Sequence, residues 1–367
     1  MKKILLAAAV SAAFGISGVQ AAEDITVDVA VIGAGGAGLS AAVEAANLGA
    51  KVVVVEKMGM PGGNTIRAAG GLNAAGTALQ QAKGTKDSVE IAYFDTMKGG
   101  HWKNDPELVR TLVSGAAGSV ECLLALGGDL RDVGLMAGAS QPRTHRPTGG
   151  ALVGPEVVKT LYNAAKARQI DMRMNTQATK ILMKDGKVTG VIAKNKKGDT
   201  ITVNAKNVIL ATGGYSFNTE MVKKYSGIDS VPVGAPGRTG DGINMARLVG
   251  AGVAGMHAVA GNAPYLPDTP PINQFSGPDE LKQGCCALAQ PWLWVDHTGR
   301  RFFNESRGSV FVDVYNATTT AGGVSYTIFD QKMMDRMINK GAVLPFNAIV
   351  LADTPLKALP KTWEIGK

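Results

Sequence analysis

The chain has 367 residues, 45% hydrophobic and 19% charged, with 47 glycines and few aromatics. This composition builds a core and many tight turns, and it excludes a disordered or fibrous chain. A formal net charge of +8 without basic runs or interleaved aromatics excludes nucleic-acid binding, and three cysteines (Cys122, Cys285, Cys286) exclude a disulfide-built fold.

Residues 1–21, "MKKILLAAAVSAAFGISGVQA", read as a secretory signal: two lysines, an apolar stretch, then a small-x-small cleavage pattern. The other reading is a transmembrane anchor. The apolar run is short, broken by Gly and Ser, and followed at once by Glu23 and Asp24, which favours export without stable membrane insertion. No later segment reads as long and apolar enough to span a membrane. Without the two signal lysines, 36 of the 38 basic residues stand against 30 acidic ones, a mild excess suited to an anionic small molecule. No CxxCH occurs, so no c-type haem is attached; vicinal Cys285-Cys286 reads as a buried small pair or a redox site.

"VDVAVIGAGGAGLSAAVEAANLGAKVVVVEK" predicts a strand over 27–32, a glycine turn, a helix over 37–48 and a strand over 52–55, a βαβ unit. A small-residue loop follows, "GMPGGNTIRAAGGLNAAGT". Residues 105–127 read as helical, "SQPRTHRPTGGALVG" as a loop, and "PEVVKTLYNAAKARQ" as a helix opened by Pro155. "VTGVIAKNKKGDTITVNAKNVILATGG" gives strands around a turn at 197–199, and "GRTGDGINMARLVGAG" a glycine loop feeding a helix. At about residue 258 Pro, Asn and aromatics rise, which marks a domain boundary.

Gly33-x-Gly35-x-x-Gly38 follows a strand, opens a helix and has Glu56 at the end of the next strand. In that context the spacing signals a dinucleotide site. Gly33 permits the turn, Gly35 lets backbone approach a pyrophosphate at the helix N-terminus, and Gly38 lets helix pack on strand. Glu56 suits ribose hydroxyls, so FAD or NAD fits better than a 2′-phosphate.

"VIGAGGAGLSAA", "VVVVEK", "GGNTIRAAGGLNAAGT", "HRPTGGALVG", "VILATGGYSFN", "TGDGINMA" and "RRFFNES", in this order, resemble the fumarate reductase/succinate dehydrogenase flavoproteins, nearest to the soluble periplasmic flavocytochrome c fumarate reductases and urocanate reductase. The resemblance implies an α/β fold: a Rossmann-like FAD-binding domain over 22–257 with an α+β cap domain inserted, partial here, over 258–367. It implies FAD contacts at Ala37, Glu56, Asn64, Thr65, Gly70, Gly71, Ala178 and Asp241. The implied reaction is hydride transfer from reduced flavin to an activated C=C, with an arginine giving the proton and Arg and His holding the substrate carboxylate. The implied partners are a small unsaturated carboxylate and a separate cytochrome or quinol-linked donor, in the periplasm during anaerobic respiration.

Arg307, just after Arg301-Phe302-Phe303-Asn304-Glu305, is the position for the acid arginine, two residues earlier than in the fumarate reductases; a solvated cap-loop arginine is the other reading. Asn262 stands where the family has a substrate histidine, and His257 reads as structural. His145-Arg146 in "THRPTGG" is expected to bind carboxylate near the flavin ring. His101 and His297 read as loop residues, and no metal-ligand spacing occurs. The tail "ADTPLKALPKTWEIGK" resembles the start of a cap helix, so the segment that closes over the flavin is expected to be missing, leaving an open sheet edge, poor stability and weak FAD retention. Two rivals stay open. One is a non-catalytic remnant or partner-dependent subunit. The other is a ketosteroid-dehydrogenase-like flavoprotein using tyrosines such as Tyr215, Tyr225, Tyr265, Tyr315 or Tyr326.

Overall fold

The computed structural model describes residues 22–136, 138–232, 234–261, 290–308, 310–341 and 343. Residues 1–21, read as a signal from the sequence, Asn262, Tyr265, Cys285, Cys286 and the tail lie outside the described residues.

β1 (Ala22–Ile32) and β2 (Val52–Val55) are β-branched runs joined by helix α1 (Gly36–Asn47). All four valines of β2 are buried, as expected of a parallel strand covered on both faces. β3 (Leu72–Asn73), α2 (Ala78–Ala82), α3 (Val89–Gly99) and α4 (Pro106–Ala125) follow. Asp105 caps α4 by accepting from the N–H groups of Glu107 and Leu108. By length and composition α4 could cross a membrane, which corrects the expectation that no later segment could. Val109, Val113, Val120 and Leu123 are buried, whereas Leu108 and Leu112 face outward.

Next come β4 (Asp132–Gly134), β5 (Thr144–Arg146), α5 (Val153–Ala167), β6 (Asp171–Arg173), β7 (Thr176–Lys184), β8 (Lys187–Asn195), β9 (Thr200–Leu210), α6 (Thr219–Ser226) and α7 (Asp241–Leu248). The main sheet has the order β6-β2-β1-β9-β8-β7. β6, β2, β1 and β9 are parallel, and β9-β8-β7 is an antiparallel meander. Asp185 and Gly186, both at positive φ, make the β7–β8 turn; an Asp-Gly pair suits a two-residue hairpin. Residues 176–184 carry no sequence prediction of a strand, and β7 forms there by pairing along β8. α5 starts at Val153, two residues ahead of Pro155, because Gly154 brings the helix onto the turn after Thr65: a Cβ there would meet Thr65 O at 2.1 Å. One core cluster holds α1, α4 and α5 on one face of the sheet, and a second fills the face between β1, β7, β8 and β9.

β8 covers β9 only over Thr200–Asn204, whereas β1 pairs with β9 to its end. Among the described residues, the half of β9 from Ala205 to Leu210 therefore has one open edge, and Ile209 and Leu210 are exposed there.

The small sheet β3-β5-β4 is pinned by a buried ion cluster. The Arg143 guanidinium donates to both oxygens of Asp87 (3.0 and 2.9 Å) and pairs with Asp95 at 2.8 Å; Gln80 also donates to Asp87 at 2.8 Å. The Asp87 side chain is fully buried.

Residues 290–343 form β10 (Leu293–Val295) paired antiparallel with β11 (Tyr326–Ile328), α8 (Phe311–Thr320) and α9 (Gln331–Asn339). Trp294 stacks on Phe303 with ring centres 5.2 Å apart. Glu305 is the keystone: it accepts from Trp294 N (3.0 Å) and from Arg301 Nε (2.9 Å). The Arg301 hydrogen bond, opposed by burial, holds its pKa down at about 2 from an ordinary 4.5. A depressed folded pKa adds stability above about pH 4.5 that disappears as pH falls through about 2. Tryptophan fluorescence should therefore report acid loosening of this unit between those values, and Glu305→Gln should be loosened already at neutral pH and respond less. A Glu305→Gln profile equal to the parent's would refute the assignment.

Candidate active site

The site is built where β1, β2 and β9 end. Gly33 turns at φ 108°, and a Cβ there would lie 2.4 Å from Ala211 O at the end of β9. Gly38 is tighter: its Cβ would fall 1.8 Å from Gly33 O. Gly35 is different. It caps α1 with extended backbone and no side-chain hydrogen bond, and a Cβ there would have nothing nearer than 3.8 Å. The positive dipole end of α1 therefore opens onto free space over Gly35, beside Gly36, whose N–H is taken by Thr65 Oγ1, and that opening suits a phosphate. Ala37 is exposed on that turn.

Glu56, 8% exposed, accepts from Ala34 N at 2.7 Å and Met58 N at 2.8 Å, locking the glycine turn to the end of β2. Each oxygen keeps lone-pair capacity for a ribose hydroxyl. Thr65 Oγ1 accepts from Gly36 N at 2.9 Å, and Asn64 Oδ1 from Ala235 N at 2.8 Å. Asp241, at the N-terminus of α7, accepts from Lys57 Nζ (2.9 Å), Thr239 Oγ1 (2.6 Å) and Gln177 Nε2 (3.0 Å). Burial acts to raise its pKa, but the Lys57 and Thr239 hydrogen bonds outweigh it and hold the carboxylate below its ordinary value. Lys57, Thr239 and Gln177 were not singled out in the sequence; no local signal ties Lys57 to a residue 184 positions away.

Gly70 and Gly71 serve the packing of this loop on its own protein. A Cβ on Gly71 would meet Thr144 Cγ2 at 2.2 Å and Arg146 Cγ at 2.9 Å, and one on Gly70 would meet Met136 at 3.1 Å. Ala178 is buried in the core beside Ala193, so it offers backbone alone; a register shift between Ala178 and Lys180 interrupts the ladder there.

His145 is corrected. It is fully buried, with Nε2 2.9 Å from Thr77 Oγ1 and Nδ1 3.0 Å from Arg143 O. Burial pushes its pKa below the ordinary value. Both ring nitrogens are taken up by the protein's own groups, which leaves neither free for a carboxylate. Strand alternation sends Arg146 to the opposite face of β5, the Gly71 face, where its Nε is buried without a partner.

Arg307 lies in a single 3-10 turn, Glu305–Arg307, and donates to Asp313 from Nε at 2.7 Å and also from Nη2. Asp313 is 3.3 Å from His101 Nε2 as well, which brings His101 into contact with α8. Arg307 is 54% exposed and lines a cleft of about 610 Å³ with Arg301, Phe302, Asn304 and Asp313. Both donating nitrogens are turned onto Asp313, so an Arg307 that reaches a substrate must first leave this carboxylate. His257, read as structural, is exposed. Tyr215 donates to Met256 O and Tyr225 accepts from Arg247 at 2.9 Å, so both tyrosines have local partners. Among the described residues no cluster of metal-ligating side chains occurs.

Residues 28–353 match the FAD binding domain family. Fumarate reductase (cytochrome) of Shewanella frigidimarina is 40% identical over 338 residues, covering 89% of this chain and 57% of that protein. Urocanate reductase of Eggerthella lenta is 33% identical over 86% of this chain and 52% of its own length. The open conformation of a flavocytochrome c3 fumarate reductase superposes with a TM-score of 0.71 at 34% identity, covering 85% of this chain and 54% of that one. The chain thus spans little more than half the length of these relatives. The open turn over Gly35, the ribose-ready Glu56 and a family match over nearly the whole chain agree: this protein belongs to the FAD binding domain family.

Proposed function

We propose that the chain reduces the C=C of a small unsaturated carboxylate, a fumarate-like acid, in the periplasm, with electrons from a separate cytochrome or quinol-linked donor. FAD when bound supplies the hydride. Gly35, Glu56, Thr65 and Asp241 hold it, and 22–257 and 258–367 act as FAD-binding domain and partial cap. The observation that carries the substrate class is Arg146, a guanidinium with a buried unpartnered Nε beside Gly71. Arg146 binds the substrate carboxylate two-pronged and orients the C=C. Arg307, released from Asp313, gives the proton to the neighbouring carbon, and Asn262 adds a further substrate contact.

The test is oxidation of a reduced viologen dye by the purified FAD-loaded chain, offered fumarate, urocanate or acrylate. Turnover of at least one acid supports the reading. Arg146→Met is expected to lower kcat/KM about 100-fold, the loss of a charged hydrogen-bonded pair. No turnover of any acid, with FAD bound, sinks it. The edge of β9 that is open among the described residues favours a second reading, a subunit that works only with a partner; activity that appears only when another protein is added would establish it.

A further inference from the structure

Arg238 sits in the loop before α7, and its aliphatic stem packs on Gly213: a Cβ built on Gly213 would lie 3.7 Å from Arg238 Cγ and Cδ. Gly213 is two residues past Ala211, the residue whose carbonyl closes on Gly33. The chain of contacts Gly33–Ala211–Gly213–Arg238 therefore leads from the glycine turn to this guanidinium. The neighbour Gly237 packs on Lys57 and Met58, at the end of β2. Arg238 is thus at the carboxyl end of the parallel strands, the side on which open α/β sheets bind ligands.

Its state is unusual. Nε is buried with no hydrogen-bond partner, and among the described residues no carboxylate pairs with the guanidinium. Burial lowers its pKa with no charge or hydrogen bond opposing. A desolvated, unpartnered cation is costly and calls for a missing anion. Ser216 Oγ is a second buried atom without a partner at the same junction, where Phe217 N donates to Arg238 O at 2.9 Å. The segments that carry the two unpartnered groups are joined by this backbone bond, and the group that Arg238 Nε lacks is a hydrogen-bond acceptor.

We propose that Arg238 is a cofactor-anchoring residue whose guanidinium binds the diphosphate of FAD from the side opposite the N-terminus of α1. Arg suits this role because its forked donors match phosphate oxygens and its charge complements the helix dipole. The inference rests on the family's cofactor and does not depend on which acid is reduced.

The test is binding of FAD, ADP and riboflavin, each by calorimetry, to the purified full chain and to its Arg238→Met and Arg238→Lys variants. FAD and ADP share the diphosphate; riboflavin lacks it. Arg238→Met is expected to weaken FAD and ADP about tenfold or more and leave riboflavin unchanged, with Arg238→Lys between. The flavin-free melting temperature of Arg238→Met should hold or rise, because an unpaired buried charge has been removed. Unchanged ADP affinity overturns the proposal. So does an equal loss for riboflavin, or a lower flavin-free melting temperature with affinity per folded molecule intact, which would mark Arg238 as structural. A parent chain that binds neither FAD nor ADP overturns it too, through failure of the cradle as a whole. Failure of the substrate reading would leave all three affinities untouched.

Discussion

Gly38→Ala is expected to abolish FAD retention and to destabilise the protein by about 3 kcal/mol or more, the upper range for forcing atoms into a packed site. The added Cβ would sit 1.8 Å from Gly33 O and 3.3 Å from the Ala211 side chain. The nearest obstacle is backbone, which cannot rotate away. Either α1 moves off β1 or Gly33 moves toward β9, and both reshape the turn that must meet the diphosphate. Gly49→Ala is the control. Gly49 is exposed at φ 83° with nothing within 4 Å, so alanine there should cost only about 1 kcal/mol, the left-handed backbone penalty. Urea unfolding and FAD titration of the two variants decide the matter. A Gly38→Ala protein that keeps both stability and flavin would show that the α1–β1 contact is not what shapes the cradle.

Arg143→Met is expected to cost about 3–5 kcal/mol, the range for removing one partner of a buried ion cluster. The methionine would leave Asp87, fully buried, and Asp95, mostly buried, without their shared cation. Asp87 would keep only Gln80 among its side-chain donors to that oxygen. The damage should reach the site, because Arg143 O also fixes the His145 ring and Arg146 follows on the same strand. Replacing all three charges together (Asp87→Asn, Asp95→Asn, Arg143→Met) should recover part of the loss, since no charge is then buried alone. A loss below about 1 kcal/mol for Arg143→Met would mean that the cluster is wet and loosely held.

The parallel part of the fold was legible because it is written locally. Runs such as "VVVV", glycines at fixed spacing and an acid at the strand end each act within a few residues of themselves. Strand β7 was missed because Gln177, Lys180 and Lys184 dilute its alternation, and pairing with β8 decides the matter. His145 and Arg146 were assigned one role from a loop reading. Three residues of strand are enough to send them to opposite faces, and three residues give no readable period. Arg307 was legible as a position but not as a paired residue, because the turn at Glu305–Arg307 is what swings it onto Asp313. Arg143 lies 56 residues from Asp87, and Lys57 lies 184 from Asp241. No pattern in a sequence couples charges at those separations, so clusters of this kind emerge only from the folded chain.

The pairing of β1 with β9 also sets a clock. Ala22 lies beside Thr200, so the first strand of the domain has no partner on that side until synthesis has passed Thr200. At ribosomal speeds of about 5–20 residues per second, that wait is on the order of ten to forty seconds. For that interval the valine-rich start of the chain is a sticky, unfinished surface that a holdase must shield. Because Gly33 closes on Ala211 just past β9, the cofactor cradle is likewise finished only after that late strand has been made.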